Sequence, residues 1–263
     1  MTPEHPSDPP LRVAWTAHGS FTYTDEGEGP ALVLAHGLPG GARDFRWLAS
    51  ALAGRVRAVR LEQPGFGQTP RSTETGTTLA HRARFLLEAA DAVGLDRFAV
   101  LGHSMGGPVA MALAAAAPAR VTALALVASV GLSPHRLARR TERHPDLAWL
   151  LTFGPIERLV LPSMRRAFTR VGFPSSTPDG ELVQSTRLFS QLSFAEVRAA
   201  ARGVRAPTLL AWSEDDPLVE PAIGLALCGT LPAGPRLVFA DGGHNLQKTR
   251  AVELADALVA FLA

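Results

Sequence analysis

The chain has 263 residues, of which 46% are hydrophobic and 19% charged, a balance that allows a sizeable core and excludes global disorder. A net charge of +2 is too small to favour nucleic-acid binding, although the sequence pI is about 9.3. The single cysteine excludes an internal disulfide and favours a reducing compartment.

The N-terminal segment, MTPEHPSDPPLRV, is polar and rich in proline. It lacks the basic start and the apolar centre of a secretory signal peptide. No stretch of the sequence approaches the ~20 apolar residues that a membrane span requires. We therefore expect a cytoplasmic protein with no membrane span and no nucleic-acid partner, and the sequence indicates no particular oligomeric state.

Short apolar runs alternate with helical patterns along most of the chain, after an expected hairpin around His18. The candidate strands are residues 31–37, 55–62, 97–102, 121–129, 206–212 and 235–240. Strands that alternate with helices favour a mostly parallel sheet that is covered by helices on both faces. The sequence thus predicts an α/β protein.

Two helices stand out by their apolar faces. The first begins after Thr77 or Thr78 and stops at Gly94, as capping preferences predict. Its inward-facing residues are Leu79, Ala83, Leu86, Leu87, Ala90 and Val93. The second covers residues 245–263 and is predicted to turn Leu246, Val252, Leu258 and Phe261 inward.

The alternation stops between residues 133 and 202. This region contains no convincing strand and mixes arginines with large apolar residues and prolines. We interpret it as a helical insertion on top of the sheet. The expected organisation is a core of residues 1–132 and 203–263 that carries a helical cap of residues 133–202.

The motif GHSMG, residues 102–106, follows a predicted strand and precedes an alanine-rich helical pattern. A strand that turns directly into a helix leaves Ser104 at the apex of a strained turn, as in a nucleophile elbow. Only small residues fit two positions before and after that serine, and Gly102 and Gly106 meet the requirement. The pattern indicates a nucleophile rather than a serine that caps a helix.

A serine hydroxyl needs a base, which is usually an oriented histidine. Of eight histidines, His244 lies between the last strand and the last helix, at the same sheet edge as Ser104. His103 belongs to the elbow and is expected to pack or to support the site. His36 belongs to the loop that follows the first apolar run. The remaining histidines are assigned to the N-terminal tail or to solvated surfaces: His5, His18, His81, His135 and His144.

The histidine in turn needs a carboxylate that holds its tautomer. The loop after the penultimate strand offers Glu214, Asp215 and Asp216, which lie between the serine and the histidine in the chain. The order Ser, Asp, His is one of the known orders of such triads. The end of the strand at 121–129 offers no carboxylate, and among the three acids we choose Asp216.

Two backbone N–H groups should hold the oxyanion that forms on a carbonyl substrate. One is that of Met105, the residue after the nucleophile. The other should come from the loop HGLPGG, residues 36–41, where Leu38 can donate and Pro39 cannot. His36 and Gly37 are expected to support this turn.

With these motifs in place, the chain resembles the α/β-hydrolases of the capped esterase, lipase and C–C hydrolase type. The matching segments, in the family's order, are HGLPGG, LEQPGFGQTP, GHSMGG, WSEDDPLVEP and DGGH, and they cover nearly the whole chain. The resemblance implies an α/β-hydrolase fold whose helical cap covers the site and selects the substrate. In the family the acid is the second of the paired aspartates, which supports Asp216.

The chain departs from the family pattern at two positions. Glu62 stands where the family often has aspartate, and Ser213 stands where it often has glycine. Neither belongs to the triad. Family members that use an aspartate nucleophile, such as dehalogenases and epoxide hydrolases, are disfavoured by Ser104.

The resulting hypothesis is a serine hydrolase that cleaves an ester or lactone through an acyl-enzyme, without metal or cofactor. Its partner would be a small, ester-like molecule. The same triad could instead cleave a carbon–carbon bond in a β-diketone-like substrate or act as a cofactor-free perhydrolase. A proline-type aminopeptidase would require cap carboxylates, and the cap is net basic. A different class is a ligand-binding receptor that keeps the pocket and barely turns over.

Overall fold

The computed structural model describes residue 6 and residues 8–71, 78–135, 154–170 and 172–263. Predictions on Thr77, His5 and His144 lie outside the described residues. Eight strands form one sheet. In chain order they are Arg12–Thr16 (β1), Gly19–Glu26 (β2), Ala31–Ala35 (β3), Arg57–Leu61 (β4), Phe98–His103 (β5), Val121–Val127 (β6), Thr208–Ser213 (β7) and Arg236–Phe239 (β8).

The strand order across the sheet is β1-β2-β4-β3-β5-β6-β7-β8. The β1–β2 and β2–β4 pairs are antiparallel, which confirms the hairpin expected around His18. The other pairs are parallel, so β3 to β8 all end at the same edge of the sheet. Loops at that edge are where ligands bind in open α/β sheets.

Helices cover both faces of the sheet, which confirms the predicted fold class. They are Arg46–Leu52 (α1), Leu79–Ala92 (α2), Gly106–Ala116 (α3), Gly154–Arg170 (α4), Asp179–Ser190 (α5), Phe194–Gly203 (α6), Pro221–Cys228 (α7), Leu246–Thr249 (α8) and Ala251–Leu262 (α9). One apolar core lies under α2, α3 and α6, and a second lies under α1 and α9. In the described ranges, no helix is long and apolar enough to cross a bilayer.

The predicted start of α2 is confirmed at Thr78, whose hydroxyl accepts a hydrogen bond from the backbone N–H of His81 at 3.3 Å. This cap satisfies one of the donors that the first turn of a helix leaves free. All six residues predicted for the inner face of this helix lie in or against the first core.

Within the described residues, the segment between β6 and β7 contains α4, α5 and α6 and no strand. Helix α6 packs beside α3, because Val197 and Ala201 are buried in the first core. By contrast, Leu188 of α5 joins a separate apolar cluster that includes Phe66 and Met105. The predicted cap of 133–202 therefore includes one helix that packs in the same layer as α3.

Two expectations for the outer parts of the molecule are wrong. The single helix predicted for 245–263 is broken at Arg250, whose φ of −126° and ψ of 32° are not helical. Within α9, Leu254 and Leu258 face inward, and Val252, two positions and about 200° of helical rotation from Leu254, is 63% exposed. His135, expected on a solvated surface, is buried beside the Phe189 ring.

Candidate active site

Ser104 is the first of the two residues between β5 and α3, and it has a φ of 51° that side-chain-bearing residues rarely adopt. Its N–H donates to the carbonyl of Val127 at 3.1 Å, which ties the turn to β6. Its carbonyl accepts hydrogen bonds from the N–H groups of Gly107 at 3.0 Å and Val130 at 3.1 Å. These contacts hold the strained residue and present its hydroxyl at the carboxyl edge of the sheet.

The glycines that flank Ser104 are required by close backbone contacts. A Cβ atom at Gly102 would lie 2.5 Å from the carbonyl oxygen of Gly106. A Cβ atom at Gly106 would lie 2.1 Å from the carbonyl oxygen of Ala35. Neither backbone can move aside without separating α3 from the sheet, so the turn excludes larger residues as the motif predicts.

His244 lies between the serine and the predicted carboxylate. Its Nε2 is 2.9 Å from Ser104 Oγ, and its Nδ1 is 2.8 Å from Asp216 Oδ2. A carboxylate only accepts, so Nδ1–H donates to Asp216 and the lone pair of Nε2 faces the serine hydroxyl. This arrangement can move a proton from serine to histidine while the carboxylate stabilises the resulting charge.

Asp216 is held in its ionised form. Burial raises the pKa of this carboxyl, but the hydrogen bond and the charge of His244 lower it, and so do two backbone donors. These donors are the N–H groups of Leu218 at 2.8 Å and Val219 at 3.0 Å, both on Oδ1. The net shift of the pKa is downward, which keeps the carboxylate ionised. Its Oδ1 is bound by the backbone, and its Oδ2 accepts from the histidine.

Among the described residues, two buried residues near the serine, Leu38 and Met105, have backbone N–H groups without an acceptor. In the described part of the chain, neither Leu38 N–H nor Met105 N–H donates a hydrogen bond to another group. Their loops meet at the serine, because a Cβ atom at Gly37 would lie 2.9 Å from Ser104 Cβ. Backbone donors of buried residues are almost always paired, so two unpaired donors beside a serine hydroxyl have the chemistry of an oxyanion site.

His36 fixes the loop that carries Leu38. Its Nε2 accepts from the Gln63 N–H at 3.1 Å, so Nδ1 carries the proton and donates to the Gly37 carbonyl at 2.7 Å. Burial lowers the pKa of this ring to about 4, which keeps it neutral. Since the Gly37 carbonyl and the Leu38 N–H share one peptide plane, this bond also sets the direction of that donor.

The residues behind His36 were not singled out in the sequence. The Gln63 side chain donates to the His36 carbonyl at 2.9 Å and accepts from Arg82 at 2.8 Å. Burial lowers the pKa of Arg82 to about 10. Gln63 lies directly after Glu62, inside the LEQPGFG segment, and its place in this motif is the sequence signal that could have indicated a role for Gln63 at the site.

His103 supports the site from the other side. Its Nε2–H donates to the backbone carbonyl of His244 at 3.0 Å. Burial and the neighbouring His244 lower the pKa of His103 to about 3. The support predicted for His103 is thus a hydrogen bond to the main chain of His244.

An apolar cluster surrounds the serine. It joins residues of the loops after β3, β4, β5, β6 and β7 with residues of α5, α6 and α7. Its buried members are Leu38, Phe66, Met105, Val130, Leu188, Phe194, Val219 and Ile223. Among the residues that the structure describes, no group of three or more His, Cys, Asp or Glu side chains is arranged to hold a metal ion.

Comparison with known proteins identifies the class that this fold and site define. Residues 30–156 match the family model described as alpha/beta hydrolase fold. A protein of Klebsiella pneumoniae (strain 342), provisionally named the carbamate hydrolase RutD, is 31% identical in an alignment of 252 positions that covers 89% of this chain and 92% of that protein. The chain therefore belongs to the α/β-hydrolase fold family.

Other relatives differ in the reactions they are named for. A 2-hydroxy-6-oxononadienedioate/2-hydroxy-6-oxononatrienedioate hydrolase of Burkholderia vietnamiensis is 28% identical, over 91% of this chain and 90% of its own. The solved structure of a thermophilic esterase from Thermogutta terrifontis superposes with a TM-score of 0.74 at 20% identity, covering 97% of this chain and 98% of that one. The chain is thus a hydrolase of this family, and the relatives leave its bond type open.

Proposed function

We propose that the protein is a serine hydrolase that cleaves a carboxylic ester or lactone through an acyl-enzyme. The observation that carries this proposal is the line of hydrogen bonds from Asp216 through His244 to Ser104, at 2.8 Å and 2.9 Å. The unpaired N–H groups of Leu38 and Met105 supply the second requirement of acyl transfer, a site for the oxyanion.

Acylation begins when Ser104 Oγ attacks the carbonyl carbon and its proton passes to His244 Nε2. The carbonyl oxygen becomes an oxyanion, which accepts hydrogen bonds from Leu38 N–H and Met105 N–H. Donors of this kind contribute about 3–4 kcal/mol each to transition-state stabilisation. Asp216 stabilises the imidazolium, which then protonates the alkoxide oxygen as the C–O bond breaks and the alcohol leaves.

Deacylation repeats these steps with water. His244 removes a proton from a water molecule, which attacks the ester carbonyl of the acyl-enzyme. The same two N–H groups hold the second oxyanion, and His244 returns the proton to Ser104 Oγ as the acid is released. Every proton moves between the substrate, water, serine and histidine, so the cycle needs no group beyond these residues.

The apolar cluster around the serine favours a hydrophobic acyl or aryl group on the substrate. Leu38 and Met105 contribute side chains to the cluster as well as backbone donors to the oxyanion site. From α5, Leu188 and the partly buried Phe189 reach the same cluster. We therefore assign substrate selection to α5, within the predicted cap of 133–202.

Hydrolysis of a carbon–carbon bond is the second candidate. It is favoured by the Burkholderia vietnamiensis relative, which is named for such a substrate and aligns over 91% of this chain. The same serine would attack a ketone carbon, and the bond between that carbon and its neighbour would break in place of C–O. The electron pair would leave as an enolate conjugated with the 2-oxo group of the substrate, and the His244 imidazolium would protonate it. A 2-hydroxy-6-oxo-dienoate, whose consumption is followed by absorbance, tests this candidate directly.

The experiment for the main proposal is hydrolysis of p-nitrophenyl esters from acetate to decanoate. We expect turnover by the native chain that falls by at least about 10³-fold in Ser104→Ala. Ser50→Ala is the matched control, because Ser50 is exposed on α1, away from the site. The acyl length of the ester with the highest kcat/KM indicates the length of the acyl pocket. Turnover that survives in Ser104→Ala would refute the nucleophile.

A further inference from the structure

A second carboxylate, next to Asp216, binds the main chain of the histidine loop. Asp215 Oδ1 accepts a hydrogen bond from the Gly243 N–H at 2.7 Å, and its Oδ2 accepts one from the Gly242 N–H at 3.4 Å. These glycines immediately precede His244. The two neighbouring aspartates therefore contact the same loop, one at its backbone and the other at its imidazole ring.

The loop has the backbone that this contact needs. Gly242 and Gly243 have φ values of 134° and 64°, which glycine adopts without steric cost. With these angles, two successive N–H groups face one carboxylate. A loop built on two glycines has many accessible conformations, and hydrogen bonds to a side chain outside the loop, here the Asp215 carboxylate, select one of them.

Ser213 holds Asp215 in turn. The serine hydroxyl donates a hydrogen bond to Asp215 Oδ1, the same oxygen that binds the Gly243 N–H. Ser213 is one of the two positions where the chain departs from the family pattern, which often has glycine there. The Ser213 hydroxyl and the Gly243 N–H lower the pKa of Asp215, so the anchor is ionised throughout the range of an esterase assay.

We propose that Asp215, held by Ser213, is a positioning residue that fixes the main chain of the loop so that His244 stays in line between Asp216 and Ser104. The inference rests on the proposed function, because it assigns Asp215 a part in that reaction. Both aspartates follow β7, so the imidazole ring and the backbone of the histidine loop are held by residues at the end of the same strand. His103 secures the far side, at the His244 carbonyl.

The physical consequence is a dependence of the chemical step on a residue that touches no reacting atom. Displacement of a catalytic group by about 1 Å costs on the order of 10²-fold in rate. Loss of the Asp215 anchor therefore lowers kcat and leaves KM nearly unchanged, because the Asp215 carboxylate binds Ser213 and the backbone of the histidine loop.

The test compares Asp215→Ala, Asp215→Asn and Ser213→Gly with Glu214→Ala as the matched control. Glu214 is the adjacent exposed carboxylate, and its backbone N–H donates to the Phe239 carbonyl of β8 at 2.9 Å, a bond that a change of side chain leaves in place. For ester hydrolysis we expect Asp215→Ala to lose about 10- to 100-fold in kcat with KM within twofold. Asp215→Asn keeps an acceptor for Gly243 and should recover most of the loss, Ser213→Gly should fall between them, and Glu214→Ala should match the native chain.

A proton NMR measurement separates this inference from the proposed function. The Nδ1 proton of His244, shared with Asp216, should give a low-field signal in the native chain and in Asp215→Asn, and a broadened signal in Asp215→Ala. This readout needs no turnover, so an inactive native chain would defeat the serine-hydrolase proposal alone. Native-like kcat and an unchanged signal in Asp215→Ala would overturn the positioning role. Equal damage in Asp215→Asn and Asp215→Ala would overturn it too, because charge would then be the cause.

Discussion

Two buried, neutral histidines predict how the protein responds to acid. Burial lowers the pKa of His36 to about 4 and that of His103 to about 3, against an ordinary value of 6.5. Below pH 6.5 the unfolded chain binds a proton at each ring that the folded chain does not. The stability that these rings contribute is therefore complete above pH 6.5 and is lost as the pH falls towards their folded values.

The size of the loss follows from the same pKa values. Each such proton changes the free energy of unfolding by about 1.4 kcal/mol per pH unit. Between pH 7 and pH 5 the two rings together remove about 4 kcal/mol, a large share of the roughly 5–15 kcal/mol that holds a domain folded. Urea unfolding at pH 7, 6 and 5, followed by circular dichroism, measures this quantity.

The variant His103→Gln isolates one of the two rings. Its side-chain amide can still donate to the His244 carbonyl, which accepts from His103 Nε2 at 3.0 Å in the native chain. The loss between pH 7 and pH 5 should then fall to about 2 kcal/mol. A native loss below about 1 kcal/mol, or an unchanged loss in His103→Gln, would refute the reasoning that these rings are buried and neutral.

Two further substitutions test the triad and the elbow. Asp216→Asn should lower kcat for ester hydrolysis by about 10³- to 10⁴-fold, because the amide favours the wrong tautomer of His244; a loss under tenfold would contradict this. Gly106→Ala should lower the unfolding free energy by about 3 kcal/mol or more, because its Cβ would lie 2.1 Å from the Ala35 carbonyl oxygen. A native-like thermal midpoint for that variant would show that the contact can relax.

Local signals in the sequence were sufficient for the sheet and the elbow. Glycine-bounded apolar runs predicted strands, and the strand–turn–helix context of Ser104 followed from its neighbours alone. The position of His244 followed from topology, because loops after parallel strands meet at one edge. These signals are carried by residues close together in the chain or by a general property of parallel sheets.

The supporting contacts could not be predicted because they depend on backbone angles and on distant pairings. Gln63 meets Arg82 across 19 positions, and His103 meets the His244 carbonyl across 141. Paired aspartates gave no sign that Asp215 would bind a backbone. The helix break at Arg250 was hidden by a continuous apolar pattern. Val252 is exposed because it lies on the face of α9 opposite Leu254.

Covalent labelling with a fluorophosphonate tests the central claim most directly, because the reagent reacts only with an activated serine and needs no knowledge of the substrate. Intact mass and peptide mapping should show one label on the native chain, on the peptide that contains Ser104. Ser104→Ala should take no label, and His244→Ala should label far more slowly. A native chain that stays unlabelled, or a label that persists in Ser104→Ala, would contradict the assignment of Ser104 as the nucleophile.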